Sequence, residues 1–185
     1  MHLFYKKYYY INSFDAKSID NQDKETLIIF RDYFKKKIDK NLIVNIRNYC
    51  KKKSLKFIIS NNFKLGLELN LDGVYIPSFN NDFSHLNYSL KTDFIVIGSA
   101  HNIREIRTKE KQKVKEIVIS PLFSKKNYLG IYKFLLLKKL TKKKVIPLGG
   151  ILKKNIKLLN FVNVKSFAGI SFFQKKSPQN DIEGF

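Results

Sequence analysis

Val145-Ile146-Pro147-Leu148-Gly149-Gly150 is a short apolar run that stops on two glycines. The same unit recurs upstream. Phe57-Ile58-Ile59 stops at Ser60-Asn61-Asn62, Phe94-Ile95-Val96-Ile97 at Gly98-Ser99, and Ile117-Val118-Ile119 at Ser120-Pro121. Near-continuous apolar runs of this length, each followed by helical spacing, are what parallel strands buried on both faces look like. Small and polar residues at the same end of every run place ligand-binding chemistry on one rim of the sheet, where strands feed into loops.

Extended to the whole chain, this reading gives strand candidates at 7–11, 26–30, 57–59, 73–76, 94–97, 116–119, 144–148 and 166–170. Helical spacing lies between them at Leu42, Ile43, Ile46 and Tyr49; at Leu65, Leu67 and Leu69; at Ile131, Phe134, Leu135 and Leu137; and at Ile156, Leu158, Leu159 and Phe161. Strands alternating with helices imply right-handed crossovers, and the closed form of that repeat is an α/β, TIM-type (β/α)8 barrel. A barrel is favoured over an open doubly wound sheet because ligand-like residues follow most strands instead of gathering at one switch point. Two places fit the repeat poorly. Residues 15–25 are too polar for a good first helix, and only fifteen residues follow Ile170, so the barrel is expected to be incomplete at its first and last helices.

With 185 residues and no linker-like segment, the expectation is one domain spanning 1–185. Hydrophobic residues make up 44%, which excludes a disordered chain. The formal charge of +21 points to anionic ligands in general, but Arg31, Arg47, Arg104 and Arg107 are the only arginines among 36 basic residues. Bidentate phosphate and base-edge recognition favour the guanidinium fork, so nucleic acid is not expected as a partner. The excess lysine arrives with Asn, Ile, Phe and Tyr, residue types that share AT-rich codons. The triplets at 35–37, 51–53 and 142–144 read as solvated helix ends.

Cys50 is the sole cysteine, which rules out an internal disulfide and suggests a reducing, cytoplasmic compartment. No partner residue marks it as a nucleophile. The aromatic N-terminal stretch is interrupted by Lys6 and Lys7, unlike a signal peptide, and no run is long enough to span a bilayer, so no membrane association is expected.

Glycines at 149 and 150, between a strand and a helix expected near Lys153, would let backbone N–H groups approach an anion. A second small-residue turn, Ala168-Gly169-Ile170-Ser171, ends the last strand candidate, and adjacent turns after strands seven and eight form the commonest phosphate site on this barrel. His101, in Ser99-Ala100-His101, is suited to proton transfer or to phosphate contact; the plain alternative is a surface histidine beside a helix capped by Asn102. His2 and His85 have no supporting constellation, and no His/Cys cluster suggests zinc.

Five segments in order resemble the thiamine-phosphate synthase/TenI family. Phe57 to Asn62 followed by Leu65–Leu69 is similar to the family's apolar run, Asn-Asp and helix; Asp72-Gly73-Val74-Tyr75-Ile76 to Asp-Gly-Val-His-Leu; and Ile97-Gly98-Ser99-Ala100-His101 to Gly-x-Ser-x-His. Ser120-Pro121-Leu122-Phe123 with Lys125 or Lys126 resembles Gly-Pro-x-Phe leading to Thr and Lys, and Pro147-Leu148-Gly149-Gly150-Ile151 resembles Ala-x-Gly-Gly-Ile. The match runs from about Thr26 to Gln174.

The resemblance implies a barrel that joins an aminopyrimidine diphosphate to a thiazole phosphate, with magnesium, releasing pyrophosphate. It assigns Ser99 and His101 to catalysis and Arg31, Ser60, Ser99, Lys125 and Lys126 to diphosphate. Gly149, Gly150, Gly169, Phe173 and Gln174 fall to the phosphate of a small phosphorylated heterocycle. The departures are specific. Arg31 is kept, but the family's neighbouring Gln and Lys are lost, and the metal carboxylates fall on the neutral Asn61 and Asn80, with Asp82 as a displaced substitute. Two other readings follow from those departures: a TenI-like thiazole tautomerase using His101 without metal, and a barrel that retains a phosphate cradle but only binds.

Overall fold

In the computed structural model, which describes residues 5–33, 38–123 and 128–173, the strands are β1 (Lys6–Ile11), β2 (Thr26–Phe30), β3 (Lys56–Ser60), β4 (Gly73–Ile76), β5 (Ile95–Ala100), β6 (Glu116–Ile119), β7 (Lys144–Pro147) and β8 (Ser166–Gly169). All pair in parallel, in the order β7-β6-β5-β4-β3-β2-β1-β8. A lone bridge from Leu148 to Ala168 brings the two ends together, so the sheet is a nearly closed (β/α)8 barrel.

The continuous apolar runs exist because both strand faces are buried. One alternating set, including Tyr8, Tyr10, Leu27, Ile29, Ile58, Tyr75, Ile97, Val118, Ile146 and Ala168, fills the barrel interior. The other set, including Ile28, Phe57, Val74, Ile117 and Phe167, packs against the surrounding helices. At the N-terminal mouth the Tyr8 hydroxyl donates to Glu116 Oε2 (2.5 Å), and Lys6 Nζ pairs with the same carboxylate at 3.3 Å. β4 and β5 approach so closely that a Cβ on Gly73 would lie 1.9 Å from the Ile95 carbonyl oxygen.

The helices are α1 (Ala16–Asp20), α2 (Lys40–Lys52), α3 (Phe63–Glu68), α4 (Ile103–Lys111) and α5 (Gly130–Lys139). Four of them begin at a side-chain cap, from Asp15, Asp39, Asn62 and Asn102, each accepting a first-turn N–H. The polar first segment does form a helix, but of five residues burying only Ile19. The spacing at Ile156–Phe161 resolves as a 3-10 helix (Ile156–Val162), not an α-helix, and it ends at Asn163 in the left-handed conformation. The helix expected near Lys153 is also absent. Asn155 folds back there instead, its Nδ2 donating to Gly150 O (2.8 Å) and its Oδ1 accepting from Leu152 N (2.8 Å). Among the described residues, no helix is long and apolar enough to cross a membrane.

Candidate functional site

Arg31, Ser60, Asn61, Ser99 and His101, singled out in the sequence, lie at or just past the C-terminal ends of their strands, on one rim. Arg31, just past β2, places its guanidinium 4.4 Å from the centre of the Tyr10 ring and 5.6 Å from that of Tyr33. Ser60 ends β3 and is buried, its Oγ 3.3 Å from the Tyr33 hydroxyl. Tyr33 stands between two clefts. One, of about 530 Å³, is lined by Tyr10, Asn12, Ser13, Arg31 and Ile170; the other, of about 560 Å³, by Asp32, Ser60, Asn61, Asn62 and Phe79. Burial pushes the Tyr33 phenol up to about 12, so it is a neutral hydrogen-bonding group at physiological pH.

Tyr10 is a candidate that the sequence reading missed. It is 2% exposed, yet its hydroxyl has no hydrogen-bond partner among the described residues, and it lines the first cleft. Burial pushes its phenol upward as well. A buried, unpartnered hydroxyl at a cleft wall is a polar handle that a ligand can satisfy. The only trace in the sequence is the inward parity of Tyr8 and Tyr10 along β1.

Ser99 sits in β5 with the inward parity of Ile97 and is buried. Two residues on, His101 Nδ1 lies 2.8 Å from the Ser120 carbonyl oxygen and 3.2 Å from Ser120 Oγ. A carbonyl only accepts, so Nδ1 carries the proton. In the neutral ring Nε2 then holds a lone pair, available as a base. The loop is held by α4: the His101 amide donates to Glu105 Oε2 (2.7 Å), and Asn102 caps the helix through Glu105 N (3.0 Å). His101 thus sits beside the helix cap, with its ring held through Nδ1.

Gly149 (φ 102°) and Gly150 (φ 69°) form a turn that L side chains rarely adopt. The carbonyls of Leu148, Gly149 and Gly150 accept from Leu122 N (2.8 Å), Phe123 N (2.7 Å) and Asn155 Nδ2 (2.8 Å). In a trans peptide the N–H points opposite the preceding C=O, so the amides that follow face away from these partners. Successive N–H groups presented by such a turn make a concavity suited to an anion. No α-helix starts at this turn to add to those amides.

The second turn is built differently. Gly169 ends β8 without a positive φ, and a Cβ there would be in ordinary contact, 3.6 Å from Phe172 Cβ. Phe173 packs its ring 4.8 Å from Tyr9 and 5.9 Å from Phe167, and its amide donates to Ile170 O (3.0 Å). It is part of the aromatic packing beneath the turn. Lys125, Lys126 and Gln174 lie outside the described residues. Burial pushes the Cys50 thiol up to about 12, in keeping with a structural cysteine.

The magnesium implied by the resemblance does not fit Asn61 and Asn80. Asn80 Nδ2 donates to Asn61 Oδ1 at 2.5 Å, and Asn80 Oδ1 accepts from Asp82 N at 2.7 Å. Neither residue carries a charge, and Asn80 turns its NH2 group, not its oxygen, toward Asn61. The carboxylate of Asp82 accepts from Ser84 N (2.9 Å) and Ser84 Oγ (2.6 Å). Among the described residues, no group of three His, Cys, Asp or Glu side chains could hold a metal ion. A hard cation with near-octahedral oxygen demands finds no donor set in this pair.

Comparison with known proteins bears on the fold and the family. Thiamine phosphate pyrophosphorylase from Pyrococcus furiosus superimposes with a TM-score of 0.72 at 18% identity, over 91% of this chain and 87% of that one. The corresponding enzyme from Bacteroides thetaiotaomicron gives 0.60 at 16% identity, over 95% and 88%. A citrate synthase, SbnG, gives 0.67 at 10% identity, over 90% and 86%, so likeness of this degree speaks for the barrel and not for one activity. No curated protein matches the sequence. The family model described as thiamine monophosphate synthase matches residues 21–173, and on that match the chain belongs to the thiamine monophosphate synthase (TMP-TENI) family.

Proposed function

We propose that this barrel acts in thiamine biosynthesis, seating a thiazole phosphate on the Gly149–Gly150 turn and joining it to an aminopyrimidine diphosphate at the rim. In that reaction the bond from the pyrimidine methylene to the diphosphate oxygen breaks, and its electron pair leaves with pyrophosphate. The thiazole nitrogen then attacks the methylene carbon to form the new C–N bond. The protein's part is to position two anionic substrates and to stabilise charge on the leaving group. Arg31 is suited to that charge, Ser60 and Ser99 to orienting phosphate oxygens, and the amides after Gly149 to the thiazole phosphate. The observation that carries the reading is the pair of positive-φ glycines on the same rim as Arg31, in a chain of this family.

A second reading, favoured by the bond from His101 to the Ser120 carbonyl, is proton transfer within a thiazole phosphate, with Nε2 as the base. Both readings require that thiazole phosphate bind. Thermal-shift titration with thiazole phosphate is expected to stabilise the protein, and no shift at saturating ligand would overturn both. Adding aminopyrimidine diphosphate then separates them: pyrophosphate release supports coupling. Tautomerisation of the thiazole alone, lost in His101→Asn, supports the second reading.

A further inference from the structure

Behind the rim, α4 buries an ammonium group. Lys109 is fully buried, and its Nζ donates to two neutral oxygens, Asn80 O (2.7 Å) and Gln112 Oε1 (2.9 Å). Gln112, also buried, donates through Nε2 to Asn80 O (3.1 Å) and Asp82 O (2.8 Å). Its own carbonyl lies 2.9 Å from Nε2 of His85, whose ring stacks on Phe63 at 4.5 Å. The loop after β4 is thereby strapped to α4 from beneath. On its upper side it carries Asn80, and the bond from Asp82 N to Asn80 Oδ1 fixes which end of that amide meets Asn61.

Among the described residues the Lys109 ammonium is hydrogen-bonded only to neutral oxygens, with Glu105 acting on it through space; such burial is costly, so its retention calls for a local role. That role is visible in the geometry: the Lys109 charge pulls on the backbone carbonyl of the residue whose side chain closes on Asn61. A loop that would be organised by a shared cation between two carboxylates is organised here by a covalently attached one.

We infer that the rim is independent of divalent metal: the Asn61–Asn80 amide clasp closes the place where a cation would be shared, and Lys109 is the positioning residue that holds the clasp shut from behind. The substrate reading above supplies only the reason to expect a cation there.

The test uses the full chain without substrate, so its failure and that of the substrate reading are separable. Mn2+ is titrated by electron paramagnetic resonance, following loss of the free-ion signal. The unmodified chain is expected to bind no Mn2+ below millimolar concentration, and the double variant Asn61→Asp, Asn80→Asp to gain a site at least tenfold tighter. Stoichiometric micromolar Mn2+ binding by the unmodified chain, displaced by Mg2+, would overturn the inference, as would a double variant that gains nothing. Hydrogen exchange tests the strut: Lys109→Met is expected to raise amide exchange across 78–85 at least tenfold while exchange in β1 and β2 stays slow. Should Lys109→Met not fold, Gln112→Met, which removes two straps and one acceptor of the lysine, gives the same readout. Unchanged exchange in the loop of a folded variant would refute the role given to Lys109.

Discussion

Gly149→Ala is the most direct test of the turn at the end of β7. A Cβ at this position would stand 2.8 Å from both Cα and Cβ of Pro121 and 3.3 Å from Leu122 N. Two of those atoms belong to backbone that cannot swing aside, because Leu122 N and Phe123 N are bonded to the carbonyls of Leu148 and Gly149. The φ of 102° also lies beyond the left-handed region that alanine tolerates. Backbone strain at such a residue is on the order of 1–3 kcal/mol, and overpacking adds a similar amount, for a total of about 3 kcal/mol. In a domain of this size each kcal/mol moves the melting point by about 2–4 °C, so a fall of about 6–12 °C is expected. The matched control is Gly169→Ala, where the new methyl meets ordinary contacts and the expected cost is below about 1 kcal/mol. Urea unfolding followed by circular dichroism, with calorimetric titration of thiazole phosphate, reads both effects. Affinity is expected to fall at least tenfold in Gly149→Ala and to stay within twofold in Gly169→Ala. A Gly149→Ala protein with the original melting point and affinity would refute the argument from this turn.

Gly73→Ala places a methyl 1.9 Å from the Ile95 carbonyl oxygen, so β4 and β5 cannot both keep their register, and the variant is expected to fail to give soluble folded protein on expression. Tyr10→Phe removes a buried hydroxyl that meets the geometric criteria for a hydrogen bond with none of the described residues; stability in denaturant is expected to hold or to rise by about 1 kcal/mol, and affinity for thiazole phosphate to fall. Burial lowers Lys109 to about 8, below its unfolded value of about 10.4, with Glu105 the charged neighbour that opposes the shift and His85 and Asp82 on the strapped loop. Because the fold disfavours the charged form, stability is greater above the unfolded value and is lost as pH falls through about 8. Relative to Lys109→Met, the unmodified chain is therefore expected to gain up to about 3 kcal/mol between pH 8 and 10.5, measured by urea unfolding at each pH.

The strands were legible because a parallel sheet covered on both faces needs uninterrupted apolar runs, and those runs are short and sharply ended. Phe57–Ile59 differs from β3 only by Lys56 and Ser60, the residues where burial begins and chemistry starts. Helix α4 was harder to read, since it buries only Ile106 and Lys109 and its apolar stripe is nearly empty; its visible mark is the Asn102 cap. The 3-10 helix at Ile156–Val162 has α-like spacing, and apolar period alone does not separate the two helix types over seven residues.

Within the candidate site, Ser60, Ser99, His101 and the glycine pair stood out by residue type at strand ends, and Arg31 through the family resemblance. Tyr10 and Lys109 did not. The significance of Tyr10 lies in a partner its hydroxyl lacks, and that of Lys109 in a loop 29 residues away, set against a background of many ordinary lysines. Such facts arise from tertiary packing, which residue type and period do not encode.

Among the described residues, the barrel's circle is closed by one backbone rung, between Leu148 and Ala168 beside the glycine turn. Side-chain packing carries the rest of that seam, where Ile146 of β7 and Ala168 of β8 share the interior cluster. A phosphate gripped by the adjacent amides would act as a rivet across that seam, so that occupancy of the mouth and rigidity of the whole ring rise together.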